Sequence, residues 1–334
     1  MGHEIDMSKY DVRTDLAIDL TDKSDNYYEN GGIKVTKIKL DEKQGKVIDK
    51  KKGSYITIEF SDVTDYENAQ KVKNVFSREL RTMMKSIKVG EEESCLVVGL
   101  GNKKSAPDSI GPLALDKVIV TNHLFQYGEV EDGFRRTFGI SPSVMGETGI
   151  ETSDYILGIC EVIKPDFVII IDALASSSIE RVNKTIQMTD AGINPGSGIG
   201  NVRKEISYDT LGIPVIAVGV PTVVDAASIV SDTIRYMYKH FAYTRANYSN
   251  PAYKLMVNPN YLNKDVHIDN LDKKSLFGLV GNLSDEEVKK FIYEILNPIG
   301  YNLMVTPKEE DFVAIKLSDV ISEGVNIALH KKIK

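Results

Sequence analysis

Hydrophobic positions along this chain follow two rhythms, and their alternation outlines a fold. Residues 33–42, IKVTKIKLDE, alternate apolar and polar, the period of a half-buried strand. Residues 46–60 repeat the habit in two halves around Lys50-Lys51-Lys52-Gly53, which reads as a solvated basic turn, with a substrate-binding patch as the alternative. Together they predict an antiparallel extension to a main sheet. From Tyr66 to Ile87 the apolar residues Ala69, Val72, Val75, Phe76, Leu80, Met83 and Met84 recur at helical spacing. Three runs are apolar almost throughout: Cys95–Leu100, Phe167–Ile171 and Ile213–Val220. Such runs suit strands buried on both faces of a parallel sheet. Helices are expected from about Asp108 to Phe125, over Tyr155–Ile163 with Thr152 or Ser153 as cap, and over Ala226–Phe241 capped by Asp225. Ser284 with Glu287, and Thr306 with Glu309, read as capping boxes before helices Val288–Leu296 and Phe312–Leu329. Residues 126–149 and 242–275 read as loops, and Lys184–Met188 as a short strand.

The chemistry is expected where the first two buried runs end. Cys95–Leu100 is followed by Gly101-Asn102, a tight turn, and then by Asp108 near a helix start. Phe167–Ile171 stops on Asp172. In an open α/β sheet the carboxyl ends of strands line the ligand crevice. Asp108 and Asp172 could therefore share one rim, the arrangement of a paired-acid hydrolase. Structural alternatives are a helix cap for Asp108 and a strand terminator for Asp172. The loop DAGINPGSGIGN, residues 190–201, places Gly196, Gly198 and Gly200 as G-x-G-x-G, which is not the dinucleotide fingerprint. It suits close approach of a substrate backbone, or it is simply a flexible loop.

Composition narrows the class. The 334 residues are 42% hydrophobic and 27% charged, within the globular range. No 18-residue apolar run occurs, so no membrane span is expected. Residues 1–15 are polar and acidic, without the apolar core of a signal peptide. The net charge of −7 argues against direct nucleic-acid binding. Cys95 and Cys160 fall in core-like segments, which points to buried thiols in a reducing cytosol rather than to a disulfide.

Several long stretches, in order, carry a resemblance: YDVRTDLA, SCLVVGLGN with PDSIGP, VMGETGIETSD, PDFVIIIDALA, IERVNKTIQMTDAGINPGSGIGNVRKEIS, TLGIPVIAVGVPTVVDA and NPIGYNLMVTPKE. From about residue 7 to 330 the chain resembles the spore germination proteases, aspartic-type endopeptidases of spore-forming bacteria. The resemblance implies an α/β fold: an open, mostly parallel twisted sheet with helices on both faces, like the hydrogenase-maturation endopeptidases. It implies a homotetramer whose substrates are small acid-soluble spore proteins, located in the cytoplasm of the forespore and spore core. It implies a zymogen: a prosegment 1–15, then one catalytic domain 16–334 with a core sheet about 94–241 and terminal helices 284–329. The family's catalytic aspartates fall on Asp108 and Asp172. Family cleavage sites pair an acid with an apolar residue and Ala, and Thr14-Asp15-Leu16-Ala17 has that pattern, so processing is expected between Asp15 and Leu16. The acid should meet a cation, with Arg203, Lys204 and Arg181 as candidates. Backbone N–H groups of Gly99–Asn102 or Gly196–Gly200 are candidates for steadying an oxyanion.

The maturation endopeptidases work with a metal, but His3, His123, His240, His267 and His330 form no ligand motif here. No metal and no cofactor are therefore expected. Two rival classes remain: a phosphate- or nucleotide-processing hydrolase built on the glycine-rich loops, and a non-catalytic binder of spore proteins.

Overall fold

The computed structural model describes residues 14–21, 24–128, 130–196, 203–251, 270–296 and 303–333. Eight of the nine strands among the described residues are β1 (Asn26–Asn30), β2 (Ile33–Leu40), β3 (Gly53–Glu59), β4 (Cys95–Gly99), β5 (Thr137–Ile140), β6 (Phe167–Ser176), β7 (Thr185–Thr189) and β8 (Val215–Asp225). They lie in one sheet in the order β1-β2-β3-β7-β8-β6-β4-β5. The pairings of β8 with β6, β6 with β4, and β4 with β5 are parallel. Those of β1 with β2, β2 with β3, β3 with β7, and β7 with β8 are antiparallel. The sheet is therefore mixed rather than mostly parallel. The expected antiparallel extension is present, and it is joined to the parallel half through β7.

Alternating side chains send two cores to opposite faces, as the period of a strand requires. On one face Val97, Ile169, Ile171 and Val218 meet Phe76 and Leu80 of helix Tyr66–Ser86 and Leu317 and Ile321 of helix Glu310–Leu329. On the other, Leu96, Val98, Val168 and Ile170 meet Ile156 and Cys160 of helix Thr152–Ile163. Cys95 and Cys160 are both buried and free, and burial raises the Cys160 thiol to about 11. A third cluster packs Ala17 against Ile38, Leu40 and Tyr55 on β2 and β3.

Several local expectations are corrected. Residues 42–47 form a helix, not half a strand, because Asp41 and Gln44 make a capping box at 2.8 and 3.2 Å. Lys50 is no solvated turn residue: its Nζ donates to the Thr14 carbonyl at 3.1 Å. The helix expected through residue 125 breaks into Ile110–Leu115 and Asn122–Tyr127. Asn326 reaches into the break, accepting from Ile119 N at 2.9 Å and donating to Lys117 O at 3.0 Å. Thr306 does not cap the last helix; its hydroxyl donates to Thr222 O at 2.9 Å. Strand β5 lies where a loop was expected, and β1 where no element was expected, because TFGI and NYYEN bury too little to show a period.

The described residues fall in two compact units, one within Arg13–Val224 and Thr306–Lys334, the other within Asp225–Val305. In the second unit, Asp225 caps helix Ala226–Asn247 through Ala227 N at 2.7 Å. Ser284 and Glu287 exchange the expected capping bonds at 2.7 and 3.2 Å ahead of helix Asp285–Leu296.

Glycine allows the parallel half to close tightly. A Cβ at Gly111 would lie 2.1 Å from Leu100 O and 2.5 Å from Ile171 O. A Cβ at Gly99 would lie 2.3 Å from Gly111 O. Gly111→Ala must therefore push helix Ile110–Leu115 off the ends of β4 and β6, and overpacking of this kind costs about 1–3 kcal/mol or more. We expect its urea midpoint to fall accordingly, whereas Gly146→Ala, in open space, should stay near wild type. Equal midpoints would show that the backbone contact bears no strain.

Candidate active site

Asp172 lies on β6, and Asp108 on the loop that follows β4, the parallel neighbour of β6. Leu100, just after β4, donates its N–H to Ile171 O of β6 at 2.8 Å, so the chain beyond β4 stays against β6. Gly101 then turns with φ +108°, and a Cβ there would sit 2.2 Å from Asp108 O. Residues 102–108 close on themselves: Asn102 N donates to Asp108 O and to Asp108 Oδ2, both at 2.9 Å. Thr222, near the end of β8, holds the same loop by donating to Pro107 O at 2.6 Å. The capping role considered for Asp108 is not what its carboxylate does. Ser109 occupies the cap position of helix Ile110–Leu115, and Asp108 points its oxygen at Asn102.

Asp172 is not a terminator either. β6 continues four residues beyond it to Ser176, with a register shift at Leu174/Ala175. The Asp172 carboxylate is 5% exposed and accepts from Ala173 N at 2.9 Å. Burial raises its proton affinity well above the usual carboxylate range, and the charges of Asp108 and Asp15 push the same way. Burial also raises Asp108, opposed by the N–H of Asn102, which favours the ionised form. The electrostatic coupling brings Asp108, Asp172 and Asp15 into one field.

Asp15 is the unexpected neighbour. In the segment Thr14-Asp15-Leu16-Ala17, Thr14 is buried, Asp15 is half-buried, and Leu16 and Ala17 are at 0% exposure. The segment runs along the far end of β6: Asp15 N donates to Ala175 O at 3.0 Å, and Ala175 N donates to Asp15 Oδ2 at 2.9 Å. Asp19 anchors the turn after this segment, accepting from Thr14 Oγ1 at 2.7 Å, Ser177 N at 2.8 Å and Arg181 at 2.8 Å.

The expected cations lie elsewhere or are engaged. Arg203 pairs with Glu151 at 3.6 Å, Lys204 with Asp154 at 2.8 Å, and Arg181 with Asp19. The ammonium near Asp15 is that of Lys50, whose pKa burial lowers while Asp15, Asp49 and Asp19 oppose the shift. Its companions in sequence, Lys51 and Lys52, are exposed, so nothing in the KKK run singled it out. Gly196 has φ +73°, and its loop is pinned where Ile193 and Ile206 exchange bonds at 2.9 and 2.8 Å. Gly198 lies outside the described residues. Among the oxyanion donors considered, Leu100 N and Asn102 N are already used by Ile171 and Asp108. Among the described residues no group of three or more His, Cys, Asp or Glu is arranged to hold a metal, and no helix is long and apolar enough to cross a membrane.

Comparison with known proteins places this arrangement among relatives. The germination protease family model matches residues 3–334. The germination protease of Bacillus cereus is 47% identical over 357 residues, spanning 100% of this chain and 97% of that protein. That of Priestia megaterium is 44% identical over 360 residues, with the same coverage. Among solved structures, a NiFe hydrogenase maturation protease, HycI from Thermococcus kodakarensis, covers 42% of this chain and 80% of its own at 15% identity and TM-score 0.27. A TM-score of that size carries no argument.

The raised pKa of Asp172 has a sign for stability. Its folded value lies above the unfolded value of about 3.9. The folded chain then holds a proton that the unfolded chain has released, and stability falls as pH rises from about 4 toward the folded value. Asp172→Asn removes that loss. Calorimetry should find the variant melting above wild type at about pH 8 and converging with it near pH 4. A wild type that melts higher at pH 8 would mean that ionised Asp172 stabilises the fold.

Proposed function

The chain belongs to the germination protease family, and from that premise we propose that it is an aspartic-type endopeptidase that cuts its own N-terminal segment before its substrates. The observation that carries this reading is the seating of Thr14–Ala17 along β6, with the charge of Asp15 acting on Asp172. The segment has the acid–apolar–Ala pattern expected of a cleavage site, and the charge of its Asp15 reaches Asp172, one of the acids expected to cut it.

In this mechanism one carboxyl of the pair is ionised and the other protonated, since two close carboxylates resist losing both protons. Asp172 keeps the proton: it is the more buried and feels two neighbouring negative charges. Asp108, which accepts an N–H from Asn102, is the ionised partner. The two still titrate as a pair. Asp108 takes a proton from water as the water oxygen attacks the Asp15 carbonyl carbon. Asp172 donates a proton as negative charge develops on the carbonyl oxygen. The tetrahedral carbon then re-forms its C=O as one hydroxyl returns a proton to Asp172, the C–N bond breaks, and the Leu16 nitrogen leaves with the proton gathered by Asp108.

The proposed products are residues 1–15 and a mature chain beginning at Leu16. The proposed substrates are small acid-soluble spore proteins, met in the cytoplasm of the forespore and spore core by a homotetramer. Arg203 and the Gly196–Gly198 loop would then serve the substrate away from the acid-binding position. Neither the nucleotide hydrolase nor the non-catalytic binder accounts for a buried, raised carboxylate facing a peptide segment of the chain itself.

Intact-mass analysis of the full chain tests the reading. Wild type should lose residues 1–15 and cleave an added small acid-soluble spore protein. Asp108→Asn and Asp172→Asn should slow both reactions by about 10²–10⁴-fold, the usual weight of a general acid or base. A variant that processes at the wild-type rate would remove its aspartate from the pair, and a mature mass that does not begin at Leu16 would move the cleavage site.

A further inference from the structure

Gln187 lies in the row of the sheet that holds Asp172. Asp172 on β6 pairs with Gly219 on β8, and Gly219 pairs with Gln187 on β7. Residues opposite one another across a sheet present their side chains to the same face. Asp172 and Gln187 thus face the same way on either side of a glycine. Gln187 is buried, and a polar side chain there needs partners. It finds both on the N-terminal segment. Its Nε2 donates to Asp15 O at 3.0 Å, and its Oε1 accepts from Ala17 N at 2.7 Å. The orientation of the amide follows from the chemistry, since a backbone N–H must meet the oxygen and a carbonyl must meet the nitrogen.

These contacts bracket one residue, Leu16. The carbonyl of the Asp15–Leu16 bond rests on Gln187, and its N–H donates to Thr14 Oγ1 at 3.1 Å. We propose that Gln187 is a catalytic residue of the protease: its side-chain amide grips the peptide on both sides of the residue after the cut, and its Nε2 stabilises the oxyanion that forms there. The assignment rests on the proposed cleavage between Asp15 and Leu16. As water adds to the carbonyl carbon, the C=O electron pair moves onto oxygen, and the Nε2–H bond strengthens with the charge it faces. No proton leaves Gln187, and Asp172 supplies the proton as before. A substrate strand docked in the same place would be held by the same two bonds, which read backbone rather than side chains. Gln187 thus fixes where the cut falls along the strand, and the acid before it is read by Ala175 N and Lys50.

The test monitors self-processing of the full chain by mass and cleavage of a peptide spanning residues 8–22 by the mature enzyme. Gln187→Met keeps length and removes both bonds; Gln187→Glu keeps the acceptor for Ala17 N and sets a second acceptor against Asp15 O. Each should slow processing by about 10²–10³-fold, the loss typical of one oxyanion donor. On the peptide, Gln187→Glu should lower kcat with little change in KM. A second peptide, with the Leu16–Ala17 amide replaced by an ester, lacks the N–H that Oε1 accepts. Wild type should bind it with a KM about tenfold higher, the size of one lost hydrogen bond to a buried partner. Equal KM for the two peptides on wild type would overturn the grip even if neither variant folds. Processing by Gln187→Met within about threefold of wild type would overturn the oxyanion role while leaving the aspartate pair intact. A wild type that does not cut at 15–16 would instead sink the reading on which it rests.

Discussion

The site depends on three backbones meeting where side chains would keep them apart. The end of β4, the start of helix Ile110–Leu115 and the middle of β6 touch through Gly99, Gly101 and Gly111, with no room for a Cβ at any of them. This contact sets the loop that carries Asp108 against β6, the strand that carries Asp172. Hydrophobic packing builds the sheet and its two cores, but it tolerates shifts of an ångström or so that a carboxylate pair would not. The glycines remove that slack. Thr222 adds a further tie from β8, so three neighbouring strands fix the position of one loop.

Much of this was legible in the chain. The buried strands Cys95–Gly99 and Phe167–Ser176 announced themselves by unbroken apolar runs, and helix Tyr66–Ser86 by its period. A charged residue closing such a run was reason enough to single out Asp172. The features that stayed hidden depended on partners far away in sequence. Nothing local marks Gln187, one of three polar residues in a five-residue strand, until β8 brings it into the row of Asp172. Lys50 sits in a basic run that reads as a solvated turn, and only the docked N-terminal segment gives its ammonium a carbonyl. β1 and β5 are strands because their neighbours offer pairing, not because their own residues demand it. The family motifs that they flank drew attention to Arg203 and Lys204, whose acidic partners lie on or beside helix Thr152–Ile163.

The N-terminal segment belongs to two descriptions at once. It is core, since Ala17 fills a hydrophobic cluster with Ile38, Leu40 and Tyr55. It is also held against β6, by one backbone bond from Asp15 N to Ala175 O and by the Asp15 carboxylate, which accepts from Ala175 N. Docking of this kind needs no special sequence beyond a fit at a few side chains. Under the proposed self-processing, the chain and its substrates would present the same short pattern to that surface.

The burial of Leu16 has a further consequence. At present its nitrogen is a neutral amide, satisfied by the Thr14 hydroxyl in a place from which water is excluded. Hydrolysis of the 15–16 bond would turn that spot into an ammonium and a carboxylate facing each other without solvent. Two new ions in a dry site are held poorly unless they pair with ideal geometry, and the severed ends have just lost the bond that aligned them. The reaction thus makes its own products unwelcome. Electrostatic self-energy would eject the freed piece toward water, making a single cut behave as a one-way latch.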